Sequence, residues 1–105
     1  MKRAEIPAEL LADVINYLNI TWEDKATDGK IRGLIASGSV YLDGKGGEAM
    51  DYETDGEPRT LLFEYVRYMR DGAQDVFENN YLARILAMQN ERAVGRHVES
   101  AAPSG

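Results

Sequence analysis

Cysteine is absent from this 105-residue chain, which removes disulfides, thiolate metal ligands and cysteine nucleophiles together. Histidine occurs once, at His97. A catalytic histidine is normally oriented by a second group inside a cleft, and a residue this close to the end of the chain lacks that support. No apolar run approaches the roughly 20 residues that a membrane span needs. The opening Met1-Lys2-Arg3-Ala4-Glu5-Ile6-Pro7 carries two basic residues with no apolar stretch behind them, unlike a signal peptide. The expected location is therefore the cytoplasm. Concentrated positive charge is missing as well. The net charge is -6, and a protein that grips DNA by its phosphates needs a basic face.

What is present fits one small globular domain. The chain is 44% hydrophobic and 29% charged, a balance outside the disordered range. At this length the core is modest, and a two-domain enzyme or a full dinucleotide fold is excluded. The acidic excess is local. Residues 1–20 sum to -1, residues 21–57 to -5 and residues 58–105 to zero.

Apolar spacing predicts an all-α bundle of about four helices with a long loop between the second and third. The first helix is expected over 7–19, where Leu10, Leu11, Val14, Ile15 and Leu18 share a face and Pro7 suits the first turn. The second is expected over 24–43, with Ile31, Leu34, Ile35, Gly38 and Leu42 on its stripe. Gly29, Gly33 and Gly38 weaken it, either because another backbone must come close or because packing alone holds a poor helix. Gly44, Gly46 and Gly47 are the expected stop. The third, over 58–72, shows Leu62, Tyr65, Val66, Met69 and Ala73 on one face, with Phe63 off to the side. The fourth, over 75–94 with Asp75 as N-cap, carries Phe77, Tyr81, Ile85 and Met88. Residues 1–94 thus form the helical domain, and 95–105 are expected to be a flexible tail.

Residues 44–57 lack helical period and set five acids against Lys45. A loop of this length tends to be functional or disordered, and a short extended piece is expected around 50–53. Asp51, Glu53, Asp55 and Gly56 imitate the start of a calcium loop. The ninth and twelfth positions, however, are Arg59 and Leu62, where a bidentate acid belongs at the twelfth. Gly44-Lys45-Gly46-Gly47-Glu48-Ala49 follows a helix rather than a strand, so it does not read as a dinucleotide site. The serines lack a nucleophile-elbow setting, and Glu64 and Asp71 stand among Arg67 and Arg70, as surface ion pairs do. No catalytic, cofactor or metal site is expected, and the chain reads as a non-enzyme.

The aromatics remain: one tryptophan, six tyrosines and two phenylalanines. Tyr65, Phe77 and Tyr81 fall on core stripes. Trp22, Tyr41, Tyr52, Phe63 and Tyr68 fall at edges or in loops, and they are the candidate subunit or partner interface.

Leu10-Leu11-x-x-Val14-x-x-x-Leu18-x-Ile20, then 24–42 ending in Ala36-Ser-Gly-Ser-Val-Tyr41-Leu42, then Arg59-Thr-Leu-Leu-Phe63-Glu-Tyr65-Val-Arg67-Tyr68 and Phe77-Glu-Asn-Asn-Tyr81 with 82–89, resemble the head–tail connector proteins of tailed bacteriophages. The likeness spans roughly residues 7–92 and rests on helical patterns in a characteristic order. It implies a helical virion subunit that closes into a ring of about a dozen copies, made in the host cytoplasm and placed at the head–tail junction. Its implied partners are itself, the portal protein and the next tail component, with double-stranded DNA passing through the lumen without sequence-specific binding. On that reading Glu48, Asp51, Glu53 and Asp55 would face the channel and repel DNA phosphates, and the tail 95–105 would dock the portal. The rival reading is a small cytoplasmic helical binding or regulatory module acting as a dimer.

Overall fold

The structure is a computed structural model that describes the backbone of residues 1–101 and the side chains of residues 1–91. Four helices follow a short 3-10 turn at Arg3–Glu5: α1 (Ala8–Tyr17), α2 (Lys25–Gly46), α3 (Glu57–Arg70) and α4 (Gln74–Ala101). No strand occurs among the described residues, and the piece around 50–53 is turn and bend. No helix there is long and apolar enough to cross a membrane.

Helix ends follow local chemistry. Asp24 caps α2, its carboxylate accepting from the amides of Ala26 and Thr27 at 3.2 and 3.3 Å and from the Thr27 hydroxyl at 2.8 Å. The helix runs through Gly44 and Gly46, three residues past the expected bound at 43, and ends on Gly47, the last of the three expected stop glycines, in the left-handed region (φ 78°). The 47–56 loop is correspondingly shorter than expected. Both α1 and α3 close with the same paired turn. The amide of Ile20 reaches the carbonyl of Ile15 while Asn19 reaches Asn16, and the amide of Ala73 reaches Tyr68 while Gly72 reaches Met69. Asn19 (φ 60°) and Gly72 (φ 70°) take the left-handed position this geometry demands.

The fourth helix departs most from expectation. Asp75 lies in its first turn, not at the cap, and the helix continues to Ala101 rather than stopping near Val94. Once a helix is nucleated each further residue adds a hydrogen bond, and the single breaker, Gly95, costs only about 1 kcal/mol. Residues 95–101 of the expected tail are thus helical; 102–105 lie outside the described residues, as does the side chain of His97.

The expected stripes pack. Leu10, Val14, Ile31, Ile35, Leu42, Leu62, Val66, Phe77, Ile85 and Met88 are all buried. Helix α2 packs on every other element, most closely on α3 and then α4, and α3 packs on α4 as well. Residues 61–66 of α3 are buried without interruption, Glu64 included. Gly38 is where α2 meets α3: a Cβ there would come within 2.7 Å of the Tyr65 ring and 2.8 Å of a Leu62 methyl. Gly29 and Gly44, on the same helix, face open space.

Candidate interaction surface

Nine aromatics do not make nine interface residues. Phe77 is fully buried and its ring meets four others: Tyr81 at 5.2 Å, Tyr65 at 5.5 Å, Tyr68 at 6.0 Å and Tyr41 at 6.4 Å between centroids. Most of these pairs are edge-on or tilted, the arrangement the ring quadrupole favours. Tyr41 and Tyr68 therefore belong largely to the core, half-buried against it. Burial raises the hydroxyl pKa of Tyr41, Tyr65 and Tyr81 above 10.0.

Phe63 and Tyr52 are corrections to the expected interface. Phe63 is buried, with Tyr17 edge-on at 5.3 Å and the Arg59 guanidinium over its ring at 4.6 Å. It is not off to the side, because α3 is enclosed nearly all round. Tyr52 is buried although it lies in the loop; its hydroxyl donates to an Asp43 carboxylate oxygen at 2.6 Å and lies 3.1 Å from the Ser39 carbonyl. Of the five expected interface aromatics, only Trp22 is exposed, at 53%.

The loop is fastened to the bundle. The same Asp43 oxygen accepts from the Met50 amide at 3.0 Å. Arg59, on α3, donates to the Tyr52 carbonyl at 3.0 Å and to Asp13 of α1 at 2.7 Å. The side chains of Glu48, Asp51, Glu53 and Asp55 are nonetheless all exposed. Asp51 turns back to accept from the amides of Glu53 and Thr54; with the Thr54 hydroxyl bond foremost, these hold its carboxyl below the usual carboxylate range. Asp55 sits 3.6 Å from Arg59. Among the described residues no group of three or more acids or histidines is placed to hold a metal ion.

One polar cluster went unread in the sequence. Glu64 is buried, not a surface residue, and three elements converge on it. Tyr81 of α4 donates at 2.9 Å, Tyr17 of α1 donates to its other oxygen, and Arg67 of α3 donates from Nε at 3.1 Å and also from Nη2. The arrangement satisfies a carboxylate from several sides, as a buried charge requires. A tyrosine at i+17 and another at i−47 offer no sequence signal for it.

The exposed apolar side chains are spread along the chain, with Tyr17 on α1 and Val76 on α4 among them. Trp22 stands at the α1–α2 junction, Val40 on α2, and Leu82 and Leu86 one turn apart on α4. Beside Trp22 lies a groove of about 560 Å³ whose apolar wall is Leu11, Ile15 and Ile20. The paired turn that ends α1 creates this wall, because it brings Ile20 back over Ile15. Glu23, Asp24 and Asp28 line the groove against one cation, Lys25. The Asp24 carboxyl is held below its ordinary range, chiefly by the Thr27 hydroxyl and then by the Ala26 amide, so this rim stays anionic at neutral pH.

Comparison with models of protein families, with curated proteins and with solved structures finds no match for this chain.

Proposed function

We propose that this chain is a structural adaptor of a tailed-phage virion, a head–tail connector subunit that works as a ring and catalyses no reaction. The observation that carries the reading is the distribution of uncovered apolar side chains. Trp22 lies in the connection between α1 and α2, Val40 on α2 and the Leu82–Leu86 pair on α4. A two-fold dimer buries one self-complementary patch, whereas head-to-tail assembly joins two different surfaces of each copy. The regulatory dimer is therefore the weaker reading. The order of helical patterns that resembles connector proteins supports the same conclusion, as does the all-α bundle.

On this reading the 47–56 loop points its carboxylates toward the lumen. Repeated around a ring, Glu48, Glu53 and Asp55 would keep DNA phosphates from adhering, most strongly at low ionic strength. In vitro complementation tests the function. A phage carrying a nonsense codon in this gene should give filled heads and free tails that join once the purified chain is added. Intact tailed particles formed without the chain would contradict the proposal.

A further inference from the structure

The start of the chain and the outer side of α2 enclose a second groove. Met1, Lys2 and Arg3 line one wall and Ala36, Ser37 and Val40 the other, around about 560 Å³. Its walls are held in place. Ile6 is buried in the core, and the Ser39 hydroxyl lies 3.5 Å from the Met1 carbonyl. Gly33 lets the Arg3 guanidinium lie on the helix, since a Cβ there would come within 2.6 Å of it. The acid beside them in sequence, Glu5, accepts from the Lys2 amide at 2.9 Å. Among the described residues neither Lys2 nor Arg3 makes an ion pair. The groove therefore joins the exposed Val40 to two unneutralised cations.

The opposite charge stands at the other end of α2. Residues 21–26 are all exposed, and Trp22 projects among them. Glu23, Asp24 and Asp28 share its surface with one cation, Lys25. An exposed tryptophan within a charged rim is the usual anchor of a protein contact: the ring fills a pocket, and the charges set partner and register. Val40 lies fifteen residues beyond Lys25 on α2, about 22 Å at 1.5 Å per residue, so Trp22 cannot enter the groove of its own copy.

We propose that Trp22 of one copy seats in the groove between Met1–Arg3 and α2 of a second copy, its ring against Val40 and Ala36 and Glu23 beside Lys2 and Arg3. One joint thus covers both Trp22 and Val40. It pairs two different surfaces, so each copy keeps a free knob at one end and a free groove at the other, and the contact propagates until it closes on itself. The inference specifies how the assembly proposed above is joined, and rests on that reading.

The lack of cysteine allows a direct test by cross-linking. Thr21 is exposed beside the knob, and Ser37 is exposed in the groove. Full-length chains carrying Thr21→Cys or Ser37→Cys are mixed, alone and with the portal protein, and oxidised with diamide. A linked pair is expected from the mixture, a ladder of linked oligomers from a chain carrying both substitutions, and nothing from either single variant by itself. Trp22→Ala should lower the linked yield by about tenfold or more. In the cysteine-free chain, Arg3→Glu and Glu23→Arg should each weaken self-association in sedimentation. An equimolar mixture of those two variants should restore it, because every joint then sets opposite charges together; an acidic partner other than this chain would give no such rescue. Linkage indifferent to Trp22→Ala, or a charge exchange that restores nothing, overturns the joint. Either single variant linking to itself shows a two-fold contact and overturns the joint and the ring together. No linkage in a chain that sediments as an oligomer overturns the joint and leaves the ring standing. No linkage in a chain that stays monomeric with its portal overturns both.

Discussion

Glu64 concentrates more structural consequence than any other single side chain. It is a buried carboxylate on α3 that accepts from α1, α3 and α4 at once. Glu64→Ala leaves the hydroxyls of Tyr17 and Tyr81 without their acceptor. Orphaning polar groups costs about 1–3 kcal/mol, so urea denaturation should show an unfolding free energy lower by that amount, through a lower midpoint at an unchanged slope; Glu64→Gln, which keeps an acceptor oxygen, should lose less. The tyrosines supply a second expectation. Their hydroxyls titrate higher in the folded chain because burial disfavours the phenolate. The stability gained by keeping them neutral is whole below pH 10.0 and is lost as pH rises through the elevated values. A tyrosinate absorbance titration should therefore show a late-titrating class in the folded protein that vanishes in urea. The acids act in the opposite sense: Asp24 and Asp51 titrate low when folded, so their contribution is present above the usual carboxylate range and fades as pH falls through their lowered values.

At the scale of elements, one helix gives opposite answers to the same substitution. Gly29→Ala and Gly44→Ala place a methyl in open space and should raise stability by up to about 1 kcal/mol through helix propensity. Gly38→Ala forces a methyl against Tyr65 and Leu62, and overpacking of this kind costs about 1–3 kcal/mol. Thermal unfolding of the three variants checks both signs. The glycines of α2 were visible in the sequence, but which of them admits α3 was not, since that depends on the crossing point. The same limit governs the rest. Helices with one buried face, such as α4 through Phe77, Ile85 and Met88, declare themselves by spacing. Helix α3 shows its main stripe in the spacing, but over 61–66 it is buried on the other sides as well, and periodicity marks only one buried face, so the sequence alone sets Phe63 at an edge and Glu64 on the surface. Tyr52 lies in a loop without period, and only the meeting of its hydroxyl with Asp43 shows that it is an anchor. Tyr52→Phe should leave helix content unchanged and speed amide exchange in 47–56, because it removes the hydroxyl's contacts with Asp43 and the Ser39 carbonyl; unchanged exchange would show that the Met50 and Arg59 contacts suffice.

For the whole molecule, the central question is what covers the apolar side chains that the bundle leaves outside. The aromatic count fed a core network around Phe77, and among the five edge aromatics Trp22 alone is exposed. The surface that remains is aliphatic as much as aromatic, with Val40 at 63% and Leu82 at 54% exposure. Replacing Leu82 and Leu86 together by Gln should leave the stability of the isolated chain within about 0.5 kcal/mol, as exposed positions do, while reducing assembly.

Cryo-electron microscopy of the full chain in the assembly it forms with its portal tests this most directly. The account predicts a closed ring with a single rotation axis, in which Trp22, Val40, Leu82 and Leu86 are covered by neighbouring subunits. A two-fold dimer whose one patch meets itself, or a lone subunit leaving all four side chains in water, would contradict it.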